Sequence, residues 1–171
     1  RRRPPRSPFA RSSRSSAVGA LVVTGAGKAF CAGFDLKELG ASDTANTAEE
    51  ADNVVARAME AFDGPIIGAI NGHCITGGFE MALACDILIA SENARFADTH
   101  ARVGMLPGWG LSQKLPRLIG LSRAREIAFT GAPVFAQQAY EWGLVNHVVT
   151  ADELLPRAVK MAQDMCACVP Q

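Results

Sequence analysis

Glu80 follows Gly77 by three residues in the run Asn71-Gly72-His73-Cys74-Ile75-Thr76-Gly77-Gly78-Phe79-Glu80-Met81-Ala82-Leu83-Ala84-Cys85-Asp86. The Gly77-Gly78 pair stands where a helix should begin, and Glu80 falls in that helix's first turn. The start of a helix leaves backbone N–H groups unpartnered and carries the positive end of the helix dipole. Such amides can hold a negative charge that develops during a reaction. A residue three positions further on lies on the same helix face, so the Glu80 carboxylate is expected beside the Gly77 amide. An oxyanion donor next to a carboxylate base suits chemistry at a carbonyl compound. The plainer reading is a strand-to-helix turn followed by a carboxylate that the helix dipole stabilises.

Other chemical signals are weaker. Gly25-Ala26-Gly27 after an apolar run mimics a dinucleotide loop, but Phe30 stands where the third glycine belongs. Lys28 is wrongly spaced for a phosphate loop. His73, His100 and His147 lie far apart in sequence, and no metal-ligand spacing occurs, so no metal is expected. His73-Cys74 beside the glycine turn offers a thiol nucleophile. Adjacent residues on an extended segment point to opposite sides, which counts against it.

The elements that must hold these residues alternate between strands and helices. Apolar runs predict strands at 20–24, 66–70 and 87–90, with short ones near 95–97 and 145–148. A helix is predicted over 48–62, ended by Asp63-Gly64-Pro65. Further helices are predicted over 78–84, 111–118, 122–130, 136–142 and 151–165. Such alternation implies a layered α/β fold with mostly parallel strands. Trp142 is expected in the core. No internal repeat is visible in the sequence.

A second segment sharpens the reading. Leu21-Val22-Val23-Thr24 runs into Gly25-Ala26-Gly27-Lys28-Ala29-Phe30-Cys31-Ala32-Gly33-Phe34-Asp35-Leu36. Together with the Gly77–Glu80 run it resembles the crotonase superfamily, the enoyl-CoA hydratases and isomerases, and most of all their actinobacterial members. The resemblance extends from about Ala17 to about Lys160 and includes Gly104-Met105-Leu106-Pro107, Leu115-Pro116-Arg117-Leu118-Ile119-Gly120 and Ala139-Tyr140-Glu141-Trp142-Gly143-Leu144-Val145.

The resemblance implies a crotonase spiral of ββα units, incomplete at both ends of this chain. It implies an acyl-CoA thioester as substrate, with coenzyme A part of that substrate and no separate cofactor. The thioester oxygen would be held as an enolate by the backbone N–H groups of Phe34 and Gly77. Glu80 would be one of the two groups that handle water and proton. The second is a glutamate in most of the family, and here the matching position is His100, which can titrate near neutrality. Ala32, Phe34, Asp35 and Leu36 are expected at the coenzyme A, and Phe79 and Trp109 at the acyl pocket. For a complete chain the resemblance implies a homotrimer or hexamer. Three functions are therefore expected to compete: a hydratase of fatty-acid metabolism, an acyl-CoA-binding protein without hydratase activity, and an inactive truncated product.

Composition narrows the partners. The chain has 171 residues, 49% of them hydrophobic, enough for a real core. Its formal charge is zero, but six of the seventeen basic residues are Arg1, Arg2, Arg3, Arg6, Arg11 and Arg14. The rest carries eleven basic against seventeen acidic residues, about −6, which argues against nucleic acid as a partner. Residues 1–16 are Arg, Pro and Ser with almost nothing apolar, so disorder is expected, outside a domain spanning 17–171. Five cysteines without metal or bridge spacing read as reduced thiols in a cytoplasmic protein. No apolar run approaches the ~18 residues of a membrane span, and no apolar core of a secretory signal follows the arginines.

Overall fold

The computed structural model describes residues 18–33 and 55–168. Residues 1–16, the start of the helix expected over 48–62, and Phe34, Asp35 and Leu36 lie outside the described residues.

Successive strands alternate between two sheets. Strand β1 (Leu21–Thr24) enters the first sheet and β2 (Ala29–Cys31) the second. Residues 55–61 are helical (α1) and lead to β3 (Ile66–Ile70) in the first sheet and β4 (His73–Ile75) in the second. Helix α2 (Gly77–Ala84) follows, then β5 (Ile87–Ser91) in the first sheet and β6 (Arg95–Ala97) in the second. Each turn of the chain thus adds one strand to each sheet and then a helix. That is the ββα spiral of the crotonase fold, a repeat of structure that the sequence does not display.

The chain continues through a 3-10 turn (His100–Val103), α3 (Leu111–Ile119), α4 (Leu121–Thr130), β7 (Val134–Phe135), α5 (Ala136–Glu141), β8 (His147–Val149) and α6 (Ala151–Ala167). The first sheet has the order β1-β3-β5-β8, all parallel. The second has the order β2-β4-β6-β7, parallel except for the antiparallel pair β6–β7. The predicted strand near 145–148 begins two residues later, because Asn146 is used as a clamp: its Oδ1 accepts the Leu88 N–H at 3.0 Å.

Strand β3 is buried along its whole length, as a central parallel strand must be. Ile67 and Ala69 pack with Ile89 against Leu154 and Ala158 of α6. Ile70 belongs to the larger core, shared with Phe79, Phe96, Leu111, Leu115 and Ile127. Helix α6 starts with a Thr150–Glu153 capping box, which satisfies its first amides. Trp142 is half-buried and packs on the main core, with the Arg123 guanidinium 5.1 Å from its ring centre. Among the described residues, no helix is long and apolar enough to cross a membrane.

Candidate active site

The turn between β4 and α2 is set by close packing. A Cβ at Gly78 would lie 2.1 Å from the Cys31 carbonyl oxygen, so only glycine lets α2 begin this close to β2. Thr76 precedes the helix and supplies no side-chain cap, so the amides of Gly77, Gly78 and Phe79 have no acceptor within the helix. The end of β2 comes up to the same place: a Cβ built on Gly33 would stand 3.7 Å from the Gly77 nitrogen. Gly33 is the residue before Phe34, so the described part of the first motif ends beside the amide that the second provides. Ala32 is exposed next to it.

Glu80, one turn into α2, is 3% exposed. Its Oε1 accepts hydrogen bonds from the N–H groups of Trp109 at 2.8 Å and Leu111 at 3.2 Å. These two amides converge on one oxygen because Gly110 between them has a φ of 94°, a left-handed conformation that glycine adopts freely. The other carboxylate oxygen, Oε2, faces His100 Nε2 at 3.5 Å. His100, at the start of the 3-10 turn, is 5% exposed, and Asp98 is 3% exposed. Asp98 Oδ1 accepts both the His100 backbone N–H at 3.1 Å and Nδ1–H at 2.6 Å. Asp98, His100 and Glu80 therefore form a buried chain in which the imidazole stands between two carboxylates.

The electrostatics follow from that order. Burial alone would depress the His100 pKa, but hydrogen bonds to Asp98 and Glu80, and their charges, outweigh it. The imidazole is pushed up to about 9 from its ordinary 6.5. Burial would raise the Glu80 pKa, but the His100 hydrogen bond, the Leu111 and Trp109 amides and the imidazolium charge together lower it from 4.5. At neutral pH the pair is an imidazolium facing a carboxylate.

Sequence reasoning identified Glu80, His100 and Gly77, and the fold brings all three to one end of α2. Phe79 is fully buried and packs on Phe96 with ring centres 5.5 Å apart, a supporting position under the site. Trp109 is half-buried and reaches the site through its backbone amide. The Leu111 amide carried no sequence signal, because every residue type except proline offers the same group. Cys74 is no nucleophile: it is fully buried, burial pushes its pKa well up, and its Sγ–H donates to the Gly78 carbonyl at 3.3 Å. His73 points to the exposed side of the same strand. Among the described residues, no group of His, Cys, Asp and Glu side chains is arranged to hold a metal ion.

Beyond His100 and Asp98 opens an apolar cavity of about 280 Å³, walled by Leu111, Leu115, Ala124 and Phe129.

A spiral of ββα units is the architecture of a known family. Residues 7–171 match the family model described as Enoyl-CoA hydratase/isomerase. The chain is 50% identical over 147 residues to probable enoyl-CoA hydratase 1, peroxisomal, of Arabidopsis thaliana, an alignment covering 85% of this chain and 55% of that protein. The crystal structure of enoyl-CoA hydratase from Mycobacterium tuberculosis H37Rv superposes with a TM-score of 0.76 at 47% identity, over 88% of this chain and 62% of that one. DspI of Pseudomonas aeruginosa superposes with a TM-score of 0.83 at 40% identity, over 92% and 61% of the two chains. The chain belongs to the enoyl-CoA hydratase/isomerase family. It spans somewhat more than half the length of the relatives it matches.

Proposed function

We propose that the whole protein hydrates a 2-enoyl-CoA thioester, with Glu80 as base and His100 as acid. The observation that carries this reading is the pairing of Glu80 with His100 at 3.5 Å, one helical turn from the Gly77 amide. Water would give a proton to the Glu80 carboxylate as its oxygen bonds to the β-carbon. The electron pair of the C=C bond would move to the α-carbon side and onto the thioester oxygen, forming an enolate held by the Gly77 and Phe34 amides. That charge exists only along the reaction path, so fixed N–H dipoles act selectively on the transition state. The enolate would collapse as its α-carbon takes the proton from His100 Nε2. Transfer of the proton from Glu80 to His100 would reset the pair. The raised His100 pKa supports the acid role, and the lowered Glu80 pKa supports the base role.

Coenzyme A enters only as part of the substrate in this reading. Ala32, Phe34, Asp35 and Leu36 would contact it, Phe79 and Trp109 would support the acyl pocket, and the apolar cavity beyond His100 would receive a short acyl chain. Assembly as a homotrimer or hexamer, and work in the cytoplasm, belong to the same reading. A second reading, acyl-CoA binding without turnover, is favoured by one observation: both ring nitrogens of His100 already face carboxylates. Titration calorimetry with an acyl-CoA and a crotonyl-CoA hydration assay separate the two. Binding with loss of enoyl absorbance supports the hydratase, and binding without it supports the second reading.

A further inference from the structure

Thr76 is the one non-glycine residue with a positive φ among the described residues, at φ 52° and ψ −111°. A β-branched side chain there is a genuine conformational outlier. Such backbones persist only where the surroundings over-determine them, and they cluster at functional sites. Glycine would adopt this turn without strain, so what threonine adds is a hydroxyl. Three groups hold the turn. The Thr76 N–H donates to the Ala97 carbonyl at 2.9 Å, and the Thr76 carbonyl accepts the Glu80 N–H at 3.0 Å. The Thr76 hydroxyl shares a hydrogen bond with the hydroxyl of Thr99. Thr76 immediately precedes Gly77, and Thr99 immediately precedes His100. The hydroxyl pair therefore ties the turn that presents the Gly77 amide to the loop that presents the imidazole.

We propose that Thr76 and Thr99 are a positioning pair, which aims the Gly77 amide and fixes its register against His100. The inference rests on the reading of Gly77 as an oxyanion donor. Neither hydroxyl has a chemical step in the proposed reaction. Losing the bond would let the turn relax and swing the donor away from the oxygen it must meet, and small misplacements of such groups are costly.

The test needs no turnover. Acetoacetyl-CoA has an acidic α-carbon, and its enolate absorbs in the near ultraviolet. The parent protein, Thr99→Val, Thr76→Val and Thr99→Ser are each saturated with acetoacetyl-CoA at pH 7, and the bound enolate fraction is read. Thermal melts accompany each. Thr99→Val and Thr76→Val are expected to lose about tenfold in the enolate-to-ketone ratio. The double valine variant should lose no more than either single one, because both remove the same bond. Thr99→Ser keeps the hydroxyl and should stay within about twofold of the parent. If a valine variant fails to melt cooperatively, Thr99→Ala carries the same comparison. A parent that binds acetoacetyl-CoA without any enolate band removes the oxyanion donor, and this inference with it. A parent with the band, unchanged in Thr99→Val and Thr76→Val, overturns the positioning role alone.

Discussion

Asp98 and His100 are joined twice, through the backbone N–H of His100 at 3.1 Å and through its Nδ1–H at 2.6 Å, both to the same carboxylate oxygen. The bond fixes the ring orientation and leaves Nε2–H directed at Glu80. Asp98, together with Glu80, thus raises the His100 pKa against the effect of burial. Asp98→Asn keeps the shape but removes the charge, so the His100 pKa should fall from about 9 toward its ordinary 6.5. Imidazole proton resonances followed through a pH titration check this, and the alkaline limb of any hydration profile should move with them. An unchanged titration would mean that Glu80 alone holds the charge.

Stability should depend on pH with a definite sign. The His100 pKa is raised on folding, so its contribution is complete below about 6.5 and is lost as the pH rises to about 9. The Glu80 pKa is lowered on folding, so its contribution is present above about 4.5 and is lost as the pH falls through its folded value. The thermal midpoint of the parent should therefore drop between pH 6.5 and 9 more steeply than that of His100→Asn. Parallel curves would show that the imidazole is not paired in solution.

Restoring the family's usual glutamate at position 100 looks, from sequence alone, like a repair. The structure argues the reverse. His100→Glu would put a carboxylate between Asp98 and Glu80, both of which are buried. Three like charges in one site would raise their pKa values and disturb the fold locally. We expect weaker acyl-CoA binding and no gain in crotonyl-CoA hydration. A clear gain would mean that Asp98 yields its place easily.

Gly78→Ala tests the packing that brings α2 to β2. The added Cβ meets backbone at 2.1 Å, which no side-chain rotation can relieve. A loss of about 3 kcal/mol or failure to fold is expected in a chemical denaturation series. Gly108→Ala is the control, since a Cβ there meets nothing within 4 Å. A tolerated Gly78→Ala would mean that α2 can stand off from the sheet.

The parts of the site that the sequence revealed are those with distinctive residue types. Glycines at a helix start and Glu80 one turn later have a physical meaning that survives without coordinates. The longer strands β1, β3 and β5 were visible because apolar runs of four or five residues mark buried strands. Strands β2, β4 and β7 were not, although β6 and β8, equally short, were placed to within two residues. The Trp109 and Leu111 amides were invisible for a different reason: they act through the backbone, and their convergence depends on the conformation of Gly110. The partnership of Asp98 with His100 depends on the 3-10 turn that starts at His100, which brings the two side chains together.

Glu80 is proposed as the base of an acyl-CoA hydration. Glu80→Gln in the whole protein keeps the shape and removes the ionisable group. Crotonyl-CoA hydration measured beside acyl-CoA binding by calorimetry gives the most direct test. The kcat is expected to fall by ~10² to 10⁴ with the binding constant nearly unchanged. A Glu80→Gln protein that hydrates crotonyl-CoA within about threefold of the parent would contradict it.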